Sequence, residues 1–161
     1  MTFDRIDLNI LDQLQRDATT PVARIAERAG LSQTPCWKRI RRHLASGVIR
    51  ARVALLDPAP FGLGLTAFVV VETADGGAET RAALLTALRG LPAARDVWRL
   101  AGGQDHMLRV VVADMPAFDR FCEALTAAAP VRALRAFFAT EQVQASTALP
   151  IGPSAEALPL R

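Results

Sequence analysis

The sequence is short of the residues that carry most chemistry. Two cysteines and two histidines are spread over 161 residues, and tyrosine is absent. Cys36 and Cys122 lie far apart, each inside a stretch that reads as helix, with no metal-ligand spacing and no histidine pattern beside them. That points to two reduced thiols in a cytoplasmic protein, with neither a disulfide nor a metal site. His43 sits in a basic run and His106 opens an apolar one, and neither has a Ser, Cys or Asp partner at a motif spacing. No catalytic residue and no cofactor are assigned, and the expectation is a protein that is not an enzyme. Long hydrophobic runs are missing too. "TAFVVV" and "VVVA" are far too short to span a bilayer, and "MTFDRIDLN" lacks the basic-then-apolar order of a secretory signal. The lack of tyrosine decides nothing.

Hydrophobic residues are plentiful, at 51%, enough to core one large domain or two small ones. Charge is uneven. Residues 1–56 hold ten Lys/Arg against five Asp/Glu, and residues 57–161 hold nine against eleven. A basic first third joined to a mildly acidic remainder points to nucleic acid or another anionic surface.

Within that third, Asp4 and Asp7 look like a helix start, a cap followed by a carboxylate at the positive helix end. Ile6, Ile10, Leu11 and Leu14 then share one face. Thr20-Pro21 reads as a cap followed by proline at the first helical position. Val22, Ile25, Ala26 and Ala29 recur at helical spacing, and Gly30 stops the helix. Only Gly30 and Leu31 separate that helix from Ser32, the next cap, so the pair forms a helix-turn-helix. In the third helix the spacing predicts Trp37, Ile40 and Leu44 as the inward stripe. Pro35, Lys38, Arg39 and Arg42 face away, with Thr34 and Arg41 on the flank. Gly47 closes the helix, and "VIRARVALL" reads as a following strand, a wing carrying Arg50 and Arg52. The plain alternative is a solvated surface helix, but caps, tight turn, basic helix and basic strand coincide. The DNA-facing set is therefore Ser32, Gln33, Thr34, Pro35, Lys38, Arg39, Arg41, Arg42, Arg50 and Arg52, suited to phosphates and base edges of double-stranded DNA.

"LDPAPFGLG" carries two prolines and two glycines and marks a boundary. Beyond it the order is strand, helix, strand, strand, helix, strand, the ferredoxin-like βαββαβ arrangement of one antiparallel sheet with helices on one side. The uncovered face would expose apolar residues unless it met a second copy, so at least a dimer is expected. "AGGQD" at 101–105 reads either as a plain hairpin turn or as a place where two glycines let a backbone come close to something else. The expected fold class is α+β. Residues 1–56 form a winged helix-turn-helix, 57–64 a linker, 65–149 a ferredoxin-like regulatory and oligomerisation domain, and 150–161 a tail.

These stretches resemble the Lrp/AsnC, or feast/famine, family of transcriptional regulators over approximately residues 3–150. The likeness rests on "IDLNILDQLQRDA", "LSQTPCWKRIRRHLASGVI", "ALLDP", "AGGQDHMLRVVVADM" and "TEQV". "TPCWKR", "VALLDP", "GLGLTAFVVV", "VWRLAGGQDHMLRV" and "TALPI" are similar in particular to the cysteine-responsive branch. The resemblance implies a regulator of amino-acid metabolism, nucleoid-associated in the cytoplasm, dimeric and often octameric. It also implies an amino-acid effector bound near the loop matched by Gly102–Asp105, around Leu100, Ala101, Gly102, Gly103, Gln104, Asp105 and His106. The chain departs from the usual pattern where Gln104 and His106 replace an aromatic, Ala101 a hydroxyl residue and Arg52 a tyrosine. Two other classes fit parts of the sequence. Sirohaem decarboxylases look like this family and would use a cluster such as Arg99, His106 and Arg109 for carboxylates, whereas a DNA-compacting protein would ignore amino acids.

Overall fold

The computed structural model describes residues 2–101 and 105–151. It divides into two compact units, one running to Leu55 and taking up the chain again from Val143, the other Leu56–Gln142. The first contains α1 (Arg5–Arg16), α2 (Val22–Arg28) and α3 (Gln33–Ala45). The second contains β1 (Leu65–Thr73), α4 (Ala78–Arg89), β2 (Ala94–Arg99), β3 (Asp105–Val112), α5 (Met115–Ala128) and β4 (Val131–Phe138).

The first helix starts where the sequence says it should. The Asp4 carboxylate accepts from the backbone N–H of Asp7 at 2.7 Å, and the Asp7 carboxylate accepts from that of Asp4, a reciprocal cap. Ile10, Leu14, Ile25, Ala26, Cys36 and Ile40 form the core between the three helices. Thr20 does not cap α2. Its hydroxyl donates to Asp17, and the Pro21 carbonyl accepts the first helical bonds instead. The other end follows expectation: Gly30 takes φ 68°, and the Leu31 N–H reaches back to the Ala26 carbonyl at 2.9 Å.

Two expectations for the first unit are overturned. The inward stripe of α3 is Cys36, Ile40 and His43, while Trp37 is 48% and Leu44 41% exposed. The helix is rotated by roughly 65° from the expected setting at 100° per residue. A histidine can replace a larger apolar residue inside because α1 supplies it with a partner, Asp7. The wing strand does not form. Residues 50–57 have no regular structure, and Val53 and Leu55 are almost three-quarters exposed. A lone alternating stretch has no ladder to join, so the pattern alone does not make it a strand.

The second unit is a four-stranded antiparallel sheet in the order β2-β3-β1-β4. Strand alternation decides which face is covered. Ala67, Val69, Val71, Leu108, Val110 and Val112 pack against Leu84, Leu88, Phe118, Phe121 and Leu125 of α4 and α5. On the other face Phe68 stands beside Phe137 and Arg109, Val70 beside Met107, and Trp98 beside Met107. Among the described residues of the second unit nothing covers that face, and Trp98 and Phe137 are 49% and 61% exposed.

The stretch 143–149, expected in the second domain, lies with the first unit. The Gln15 side-chain amide binds both backbone groups of Leu149, donating to its carbonyl at 2.7 Å and accepting from its N–H at 2.8 Å. One side chain thus does what a neighbouring strand would do.

Candidate functional site

The sequence-predicted DNA-facing residues divide into two groups. The dividing residue is Asp7 in the first turn of α1. It is 2% exposed, yet three side chains of α3 converge on its carboxylate. Arg39 donates to Oδ1 at 2.8 Å and to Asp4 at 2.7 Å. Arg42 donates to both oxygens at 2.8 Å, and His43 Nε2 lies 3.1 Å from Oδ1. Burial alone would raise the Asp7 pKa. The hydrogen bonds from Arg39, His43 and the Asp4 backbone, with the charge of Arg42, outweigh it and hold the carboxyl at about 2. Asp7 is therefore an acceptor only, and His43 Nε2 must carry the donated proton. Arg39 and Arg42 are tied to α1 by these pairs.

The second group is free of such pairs. Thr34, Trp37, Lys38 and Arg41 recur at i, i+3, i+4 and i+7 and are all exposed, forming the face opposite the Cys36–Ile40–His43 stripe. Among the described residues no carboxylate lies within ion-pair distance of Lys38 or Arg41. The Arg41 guanidinium instead lies over the Trp37 ring, 5.0 Å from its centroid. Ser32, Gln33 and Pro35 are exposed at the start of the helix, and the Ser32 side chain makes no capping bond. Arg50 and Arg52 are exposed on the irregular segment beyond α3. Cys36 is fully buried, and burial pushes its thiol above the ordinary range, which suits packing rather than reactivity.

In the second unit the candidate effector residues surround the β2–β3 connection. Leu100 is half-buried and Ala101 exposed. Gly102, Gly103, Gln104 and the Asp105 side chain fall outside the described residues. His106 is 4% exposed on the helix-covered face of β3, opposite Arg99 in register. A small cleft there is lined by Thr73, Asp75, Arg81, Arg99 and His106. Arg81 and Thr73 carried no sequence signal, because their neighbours in the cleft come from other strands. Arg109 points the other way, to the open face, where it pairs with Asp96. Arg99, His106 and Arg109 therefore do not form one cluster. Among the described residues no helix is long and apolar enough to cross a membrane, and no group of three or more His, Cys, Asp or Glu could hold a metal.

Comparison with known proteins finds one family match in each part of the chain, the second running through 143–149 to the domain end expected from sequence, although that stretch lies with the first unit. Residues 3–42 match the AsnC-type helix-turn-helix domain and residues 66–149 the Lrp/AsnC ligand binding domain. The DNA-binding transcriptional activator DecR of Escherichia coli K12 is 40% identical over 92% of this chain and 99% of its own. The crystal structure of an AsnC family transcriptional regulator from Agrobacterium tumefaciens superposes with a TM-score of 0.86 at 39% identity, covering 97% of this chain and 100% of that one. A transcriptional regulator of Neisseria meningitidis in complex with L-Met gives 0.87 at 28%, over 98% and 100%. An AsnC-type helix-turn-helix domain followed by an Lrp/AsnC ligand binding domain thus accounts for both parts of the chain, which belongs to the Lrp/AsnC family of DNA-binding transcriptional regulators.

Proposed function

We propose that this regulator grips DNA as a homodimer through α3 and the Arg50–Arg52 segment, and that a small amino acid alters its binding or assembly. The observation that carries the DNA contact is the unpaired, exposed Thr34–Trp37–Lys38–Arg41 face of α3. Lys38, Arg50 and Arg52 neutralise phosphates, while residues at the start of α3 meet base edges. Arg39 and Arg42 act through Asp7, orienting the helix. The bare apolar face of the sheet supports dimerisation, because a patch carrying Phe68, Trp98 and Phe137 is costly to leave in water. Dimers then assemble further, to octamers, as the sequence resemblance implies.

The amino acid is held around Leu100–His106, with cysteine the first candidate on the sequence resemblance. A zwitterion needs donors for its carboxylate and an acceptor for its ammonium. The Gly102 and Gly103 N–H groups serve the first without a Cβ in the way. Asp105 serves the second, and Gln104 does either. Arg81 and Arg99 add positive charge to the cleft at His106. The ligand named in the Neisseria meningitidis structure, L-Met, supports the ligand class. A tetrapyrrole-carboxylate reading gains no support, since Arg109 lies on the opposite sheet face from Arg99 and His106.

The test is genome-wide binding with and without candidate amino acids, alongside a Lys38→Ala/Arg41→Ala variant, which leaves the Asp7 pairs in place. The variant should lose promoter binding, with a salt slope reduced by about 0.9 for each phosphate contact removed. A folded variant that binds promoters normally overturns the α3 assignment.

A further inference from the structure

The four cations of α3 are not equivalent, and one aromatic ring explains what an unpaired, exposed arginine is for. Arg39 and Arg42 are committed to Asp7. Lys38 is a flexible point charge. Arg41 alone lies with its guanidinium on a ring, that of Trp37, one helical turn earlier. Trp37 is not held there by the core, which closes over Cys36, Ile40 and His43 instead. An indole so exposed on a DNA-facing helix needs a reason other than packing.

Resting on the DNA-binding reading above, we infer that Trp37 and Arg41 form a base-reading pair, in which Trp37 is a specificity-determining residue that presents Arg41 to a guanine. A guanidinium is attracted to a ring through its flat face but donates hydrogen bonds from its edge. Stacking therefore uses the face and leaves the edge free. The edge is a planar fork that matches the O6 and N7 acceptors of guanine in the major groove. Holding the fork on the ring also removes much of the side-chain freedom that an isolated arginine loses on binding. The attraction strengthens once the groove excludes water from the pair. Lysine could replace the charge of Arg41 but not the fork.

The experiment selects a preferred duplex from a random library with the full-length protein. Binding is then measured to that duplex and to each of its single base-pair variants, for wild type, Trp37→Ala, Trp37→Phe, Arg41→Lys and Lys38→Ala. Wild type should require a G·C pair at one position in each half-site. Arg41→Lys should reduce discrimination there about five- to a hundredfold with the salt slope unchanged. Trp37→Ala should reduce it about three- to tenfold at that same position, and Trp37→Phe, which keeps a ring face, by less. Lys38→Ala should weaken all duplexes alike and lower the salt slope by about 0.9. Unaltered base preference in Trp37→Ala or Arg41→Lys, or equal weakening at every position, refutes the pair while the DNA-binding reading stands. Wild type that enriches no sequence refutes the pair, and wild type that binds no duplex at all refutes the DNA-binding reading as well.

Discussion

Replacing Asp7 with asparagine should unsettle the first unit more than any other isosteric change in α1. Asparagine keeps the shape and one acceptor but loses the charge that faces Arg39, Arg42 and His43. The carboxyl moves from 3.8 to about 2 on folding, just under two pH units. At 1.36 kcal/mol per unit that is about 2 kcal/mol of stability. A folded-state value below the unfolded one means that this stability is fully present above about pH 4. It is lost as pH falls through 2. Removing one partner of a fully buried ion pair costs about 3–5 kcal/mol, but Arg39 keeps Asp4 and Arg42 is half-exposed to water. The loss at pH 7 should therefore be about 2–3 kcal/mol, lowering the midpoint of so small a unit by roughly 10–20 °C. Trp37 lies in the first unit and Trp98 in the second, so in a Trp98→Phe background tryptophan fluorescence follows the first unit alone. Thermal melts from pH 7 down to pH 2.5 then compare the Asp7→Asn variant directly with its parent. Midpoints within about 2 °C at pH 7, or equal acid sensitivity in the two proteins, would contradict the reasoning.

Three further outcomes are expected. A fragment spanning 56–142 should sediment as a dimer, and Phe137→Asp should make it monomeric; a monomeric parent fragment sinks the sheet-face proposal. Asp105→Ala should abolish the amino-acid effect on DNA binding while leaving basal affinity largely intact, and calorimetry across a panel of amino acids, cysteine included, reads the site directly. No binding to any of them, or undiminished cysteine binding by the variant, removes that site. Leu125→Ala, at a side chain with no exposure, should cost the second unit about 2–5 kcal/mol, against less than about 0.5 for Leu85→Ala on the outer side of α4, both measured by denaturant titration.

The elements that could be read from the sequence are those fixed by neighbours in the chain. The Asp4–Asp7 cap, the Gly30 stop and the alternation of β1 and β3 are each contained within a few residues, and each appears where expected. The rotation of α3 is different in kind. A binary pattern counts Trp37 as apolar and His43 as polar, but what decides is a carboxylate 36 residues earlier that makes a buried histidine tolerable. The same distant carboxylate ties Arg39 and Arg42 to α1, although the Arg42 side chain stays half-exposed. The missing wing fails for a related reason, since an alternating stretch specifies a strand only when a partner strand exists. In the second unit, Arg99 and His106 were nameable from sequence, but register alone reveals that they share a face from which Arg109 is absent.

The return of the chain to Gln15 has a consequence for how the first unit can be cut out. The first unit is discontinuous in sequence, and residues 56–142 are in effect spliced into it. A fragment that stops at Leu55 keeps all three helices but leaves the Gln15 amide without the two backbone groups of Leu149 that it binds in the whole chain. The piece that holds the helix-turn-helix is therefore not the same object as the unit it comes from.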